Sequence, residues 1–392
     1  MRALTILLLL LAPAAQAAES LAGHLDRALA IDPNWRSLQA QRNAVAARRA
    51  MVNTPIAGSP VLSGSLRSDT RGPRESRDME VEFGAPLWLP GQRSALGGTV
   101  TSSVAEIDRR LQLRRLEVAG LLREAWWQAA LAEREARLAR DRVATARDIA
   151  RDVRRRADLG DIPPSDALLA QNETLAAELE LAQAEAELVA ARAAYATLTG
   201  GAMPNLRPER VEAPPPLHPA LATARAALEV AESQARLVAA TPRDNPELSV
   251  FGRGEYGTLT EQGVSLGLRL RFPLATEARN APRRAEAEAG ITRATAQLAG
   301  AQRLVEAQVA AARAALRAAE ENVRLARQRL GVADRQLEAA RRAFRSGETG
   351  LFDLYRVRQL QLEAAGAEAR AAVAAGRARS RLNQAIGAIP GE

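Results

Sequence analysis

Few side chains in this 392-residue sequence are equipped for catalysis or tight metal binding. There are two histidines, His24 and His218, no cysteine and four methionines. Clusters of soft ligands for a metal are therefore missing. Gly97-Gly98 lacks the downstream Gly-Lys-Ser/Thr that completes a phosphate loop. His218 directly precedes Pro219 and reads as a helix-entry residue. These residues predict no enzyme, no cofactor and no resident metal. The remaining candidates stand at two glycine-bearing turns: Gly160, Ser165 and Asp166 at the first, Gly347, Asp353 and Arg356 at the second. Glycine supplies the positive φ of a tight reversal, and an acid just inside the next helix complements its positive end. Ser165 or Asp166 is the expected N-cap at the first turn. Arg356 is placed to pair with Asp353 at i, i+3.

Those turns need long helices to present them. Residues 22–53 read as a first helix, with Pro33 the main breaker inside it. A β-hairpin is expected over 61–89, a very long helix over 95–159 and another helix over 165–199. A connecting segment rich in proline covers 201–218. The order then recurs: a helix from 219, a hairpin over 247–273, a long helix over 278–346 and a last helix over 352–386, with 388–392 a short tail. Pro86-Leu87 matches Pro273-Leu274, Gly160 matches Gly347, Asp166 matches Asp353 and Gly200 matches Gly387, each at an offset of 187. Alanine-rich helices resemble one another by chance, but breakers holding one offset do not. The first repeat is thus 18–200 and the second 219–387. A helix of the length of 95–159 runs on the order of 100 Å, and the two shorter helices of each repeat together match it, which suggests that they stack end to end along it.

The strand segments point to an oligomer. Val264, Leu266, Leu268 and Leu270 alternate with small or basic residues, and Val81 and Phe83 alternate with acids in the matching segment. One face suits lipid and the other a wet lumen, as in the wall of a transmembrane barrel. The earlier strand of each pair alternates poorly and is inferred from pairing. Four strands cannot close a barrel, and an open edge cannot face lipid, so several chains must share one. Trp88 is expected near a membrane interface.

Composition narrows the class. Residues 1–17 carry Arg2, a short apolar run and an Ala-x-Ala site, the pattern of a secretory signal peptide. No later apolar run is long enough for a transmembrane helix. The net charge is +8 and all 54 basic residues are arginine, yet acids accompany them at helical spacing, as in Arg123, Glu124, Glu133, Arg134, Glu135 and Arg137. Solvated helix faces account for that pattern, and no nucleic-acid surface is expected. Aromatics at 3% leave no thick core, so helices packed through small residues are favoured.

From Leu21 to Gly387 the sequence resembles the TolC family of outer-membrane efflux proteins. The resemblance rests on the two turn motifs, Arg156-Ala157-Asp158-Leu159-Gly160 with Asp166 and Arg342-Ala343-Phe344-Arg345-Ser346-Gly347 with Asp353. It also rests on the closes Leu198-Thr199-Gly200 and Gln384-Ala385-Ile386-Gly387, and on Phe83-Gly84-Ala85-Pro86-Leu87-Trp88-Leu89-Pro90-Gly91-Gln92-Arg93. It is nearest to the heavy-metal (CzcC/CusC-like) branch. The resemblance implies a mainly α fold with a small β part, in which a homotrimer builds a 12-stranded β-barrel in the outer membrane and an α-helical barrel in the periplasm. It further implies a periplasmic adaptor (membrane fusion) protein and an inner-membrane pump as partners, contact with outer-membrane lipid, and efflux of metal cations or drugs through a passive conduit. The turns become periplasmic tips at the pore entrance. Asp353 matches a family position whose acids attract cations, whereas Arg356 stands where a second acid is usual. That departure argues against a strong cation-selective ring and offers Arg356 as a latch to a neighbouring protomer's acid. The competing reading is a periplasmic coiled-coil adaptor or scaffold without a pore.

Overall fold

Residues 20–68, 76–204, 208–257 and 263–391 are described by a computed structural model. The expected signal peptide and the tips of both β-hairpins lie outside these residues. The described chain forms eight helices and four strands. It divides into two units, one made of residues 33–114 and 215–308 and the other of the remainder.

The segment expected as a single first helix is three: α1 (Leu21–Ile31), α2 (Pro33–Ala47) and α3 (Arg49–Asn53). Pro33 has no amide hydrogen to continue α1 and starts α2 instead, and Asp32 before it is extended, at ψ 121°. Strands β1 (Val61–Ser68) and β2 (Ser76–Pro86) follow, then α4 (Gln92–Asp158), 67 residues without interruption. Next come α5 (Pro164–Thr199) and α6 (Pro219–Ala239), then β3 (Glu247–Gly257) and β4 (Gly263–Arg271). The last two helices are α7 (Glu277–Arg345), with Pro282 inside its first turns, and α8 (Leu351–Ala385). His218 caps α6, its Nδ1 accepting from the Ala220 amide at 3.1 Å.

The unit of 33–114 and 215–308 holds the sheet, an antiparallel ribbon in the order β1-β2-β3-β4. The central β2–β3 pair joins the two repeats. Val61 faces Gly84, and Glu247 faces Arg271, so the hairpins share a register in which the second strand is displaced by 187 residues and the first by 186. Below the sheet, α4 meets α6 through small hydroxyl residues: Ser102 and Ser233 bond side chain to side chain at 2.7 Å, and the Thr99 hydroxyl donates to the Ser233 carbonyl.

In the other unit the core is thin and built on alanine. Ala132, Ala136 and Leu188 form one cluster between α4 and α5, and Val143, Ala146 and Ala177 form the next along. Small side chains bring helices close enough for long arginines to bridge them. Arg140 reaches Glu185 at 2.9 Å and Arg147 reaches Glu178 at 2.7 Å between α4 and α5, while Arg379 reaches Glu320 at 3.2 Å between α7 and α8. The charge pattern read as solvated faces thus includes many bridges between helices. Each such exposed pair contributes at most about 1 kcal/mol. α8 passes close to α4 at Gly376, where a Cβ would collide with the ring of Trp127.

Candidate functional site

Antiparallel partners share a face, so the strand register identifies every residue on each side of the sheet. One face carries Leu62 and Leu66 from β1, Met79, Val81 and Phe83 from β2, Leu248 and Val250 from β3, and Val264, Leu266, Leu268 and Leu270 from β4. All of these are exposed, from 42% at Leu248 to 84% at Leu266. The face is apolar across all four strands, which is well beyond the scattered apolar residues of an ordinary surface. β1 and β3, with weak alternation in sequence, join it because their interrupting residues, Gly64, Gly252 and Gly254, add no polar group.

The opposite face is charged. Glu80 accepts from Arg253 and Arg269, each at 2.7 Å, Glu82 accepts from Arg269 and from Ser249, and Glu247 pairs with Arg271 at 3.4 Å. Phe251 lies across the strand from Gly267 and covers it, and the Arg269 guanidinium stacks over its ring at 4.7 Å. This ladder runs across β2, β3 and β4, and at Glu80 and Glu82 it pairs acids of one repeat with bases of the other. A wet, ion-paired face backed by a fully apolar one is the pattern of a strand wall between lipid and water. Trp88, just past β2, is half-buried, with its indole N–H donating to the Thr54 carbonyl at 3.2 Å. Among the described residues no helix is long and apolar enough to cross a membrane.

Both helical turns belong to the other unit, and their backbones are alike. Gly160 has φ +80° and Gly347 φ +79°. At the first turn the Asp161 amide donates to the Arg156 carbonyl and the Gly160 amide to Ala157. At the second, Glu348 donates to Ala343 and Gly347 to Phe344. Both are Schellman closures, displaced by 187 residues. The same closure recurs at Gly200 and Gly387, with Gly201 donating to Ala196 and Ala388 to Asn383. The N-cap of α5 is Pro163 rather than Ser165 or Asp166. Pro164 at the first helical position sets the start earlier, so Asp166 falls in the first turn, where the amides still carry positive potential.

The two turns pack together. Val153, Ala170 and Leu351 are buried as one cluster with Ile162, Phe344 and Tyr355 against it, and Arg156 stacks over Phe344 at 4.9 Å. Asp353 and Arg356 are exposed, and neither forms an ion pair among the described residues, so the i, i+3 pair suggested by their spacing is not made. Both point away from the buried stripe of Leu351, Leu354 and Arg358.

Two arrangements went unread in the sequence. In the first, Arg123 on α4 is buried and bidentate to Glu209 of the connecting segment, with nitrogen–oxygen distances of 3.1–3.2 Å. It also donates to Gln384 at 2.9 Å and to the Ala388 carbonyl at 3.1 Å. Ser380 donates to Glu209, and the Trp127 indole donates to Ser380 at 2.8 Å. Beside them Asn383 donates to the Arg210 carbonyl and accepts from the Glu212 amide. In the second, Arg358 is buried beside Tyr355. Burial pushes its guanidinium below the ordinary arginine range, with Arg142 and Arg341 adding to the shift, and pushes the Tyr355 phenol up. The available signal was the same in both cases: an arginine at a helical period reserved for apolar residues, after Leu116 and Ala119 in α4 and after Leu351 and Leu354 in α8.

Residues 217–388 match the family model described as outer membrane efflux protein. No curated protein matches the chain at a significant level. Among solved structures, VceC from Vibrio cholerae superposes with a TM-score of 0.74 at 17% identity, covering 94% of this chain and 96% of that one. CusC gives 0.76 at 14%, covering 94% and 92%. The open state of the Neisseria gonorrhoeae MtrE outer membrane channel gives 0.70 at 18%, covering 94% and 89%. Residues 217–388 thus match an outer membrane efflux protein domain, and the chain shares the fold of these outer membrane channels over 94% of its length.

Proposed function

We propose that three copies of this chain form one passive export conduit, each lending its four strands to a shared twelve-stranded barrel in the outer membrane. One observation carries the reading: among the described residues an open four-stranded sheet, apolar and exposed on one face, ion-paired on the other, and ending in β1 and β4, each with one open edge. Open edges are untenable in lipid, and pairing β4 of one copy with β1 of the next removes them all. The helical turns around Gly160 and Gly347 then form the periplasmic entrance, where an adaptor of an inner-membrane pump engages. A poreless periplasmic scaffold has no use for the exposed row of Val264, Leu266, Leu268 and Leu270. Detergent-extracted protein is expected to run as a trimer by mass photometry, and a stable monomer in the membrane fraction would rule the conduit out.

The cargo class follows from the resemblance to the heavy-metal branch, with hydrophobic drugs the second class. A deletion strain challenged with metal salts and with drugs separates them by which sensitivity appears. The turn carries a second test. Arg356 is exposed and forms no ion pair among the described residues of its own protomer, as a latch to a neighbour's acid requires. Arg356→Ala is expected to raise single-channel conductance in planar bilayers, and an unchanged conductance would make it a surface residue.

A further inference from the structure

Arg358 occupies a place on α8 that belongs by period to an apolar residue. Leu351 and Leu354 before it are buried, and Arg358 itself is only 5% exposed. Its Nη2 donates to the Arg142 carbonyl at 3.1 Å, yet among the described residues no carboxylate forms an ion pair with it. A guanidinium held out of water without a counter-charge is among the costliest groups a protein can bury. Tyr355, three residues earlier, has a buried hydroxyl with no hydrogen-bond partner. Buried polar groups in folded proteins are nearly always satisfied, so the Tyr355 hydroxyl, beside a guanidinium without a counter-charge, calls for an acceptor that the described residues do not supply.

Both residues line one cavity of about 680 Å³, together with Arg142, Glu173 and Arg356. Arg142 is already paired with Glu180. Among the described lining residues that leaves Arg356 and Arg358 against the single carboxylate of Glu173. Glu173 biases Tyr355 and Arg358 through space but reaches neither, and it competes with any incoming anion. We propose that this cavity binds a small free oxyanion, of the carboxylate or phosphate type, between the Arg358 guanidinium and the Tyr355 hydroxyl. The lining comes from α4 and α5 on one side and from α8 on the other, so an occupied site ties the first helical hairpin to the second. It is a property of a single protomer and stands apart from the conduit reading.

The test titrates the full chain in detergent with sodium phosphate, holding ionic strength constant with sodium chloride, and follows the midpoint of thermal unfolding. The wild type should show a saturable rise. Arg358→Gln should weaken the apparent phosphate affinity by about tenfold, the scale of one charged hydrogen-bonding partner. Arg345→Gln, which removes an exposed charge nearby, should leave the response intact. Tyr355→Phe keeps the ring and removes only the hydroxyl; it should weaken binding by about fivefold, and it decides the matter if Arg358→Gln does not fold. Glu173→Gln should tighten binding by removing the competing carboxylate. A wild type without a saturable rise overturns the proposal, as when a neighbouring copy's carboxylate already fills the cavity. So do Arg358→Gln and Tyr355→Phe proteins that respond like the wild type, or a Glu173→Gln protein that loses the response.

Discussion

Glu209→Ala is expected to cost about 3–5 kcal/mol of stability, because it strands the buried Arg123 guanidinium without its counter-charge. The side chains of this pair are 4% and 11% exposed, so water cannot take over the lost contacts. The substitution also removes the acceptor of Ser380, which in turn receives the Trp127 indole. The damage should therefore spread along the contact of α4 with α8. It should appear as a large drop in the unfolding midpoint and as protease cleavage within the connecting segment around residues 208–214. Replacing both partners with apolar residues, Arg123→Met with Glu209→Leu, should recover much of the loss, since a buried pair exchanged for well-packed hydrophobic groups is often neutral. A loss below about 1 kcal/mol for Glu209→Ala, the level of an exposed pair, would mean that the network is open to water.

Leu266→Arg should block assembly in the membrane, and Leu268→Arg should do the same. Each places a charge on the apolar face of β4, where the native leucines are 84% and 74% exposed. On a lipid-facing barrel site near midplane such a charge costs roughly 2–4 kcal/mol per copy, and the proposed assembly multiplies it by three. The measurement is the amount of heat-modifiable trimer in the outer-membrane fraction. Arg269→Leu is the informative contrast, since it alters the ion-paired face and should lower trimer yield far less. Normal assembly of both leucine variants would mean that the apolar face does not meet lipid.

The long helices and the glycine turns between them were legible because each rests on local backbone chemistry. Gly160 and Gly347 show this best: one residue type, one dihedral angle and one pair of closing hydrogen bonds at a fixed displacement. Long-range features were harder to read. β1 and β3 do not alternate, and their register comes from β2 and β4, which alternate well. Pro33 was visible as a breaker, yet its effect on the first helix depends on Asp32 adopting an extended backbone. The N-cap of α5 was misplaced because serine and aspartate are strong capping residues in general, whereas here Pro164 sets the helix start. Arg123 and Arg358 share the composition of dozens of exposed arginines. Only their phase on an apolar stripe distinguishes them, and alanine-rich helices make that phase faint. The pairing of Asp353 with Arg356, attractive from spacing alone, gives way to solvent, because both lie on the side of α8 away from its core.

The seam between β2 and β3 joins the two repeats inside one polypeptide. Had the repeats been separate chains, that seam would have formed by collision and at a rate set by concentration. Tethered, its halves meet at the high effective concentration of a linked pair. In the proposed assembly only the β4–β1 seams are left to form between molecules, which halves the number of encounters needed to close a ring. In that assembly, duplication acts as a kinetic device, shortening the time an unfinished sheet spends with open edges next to lipid.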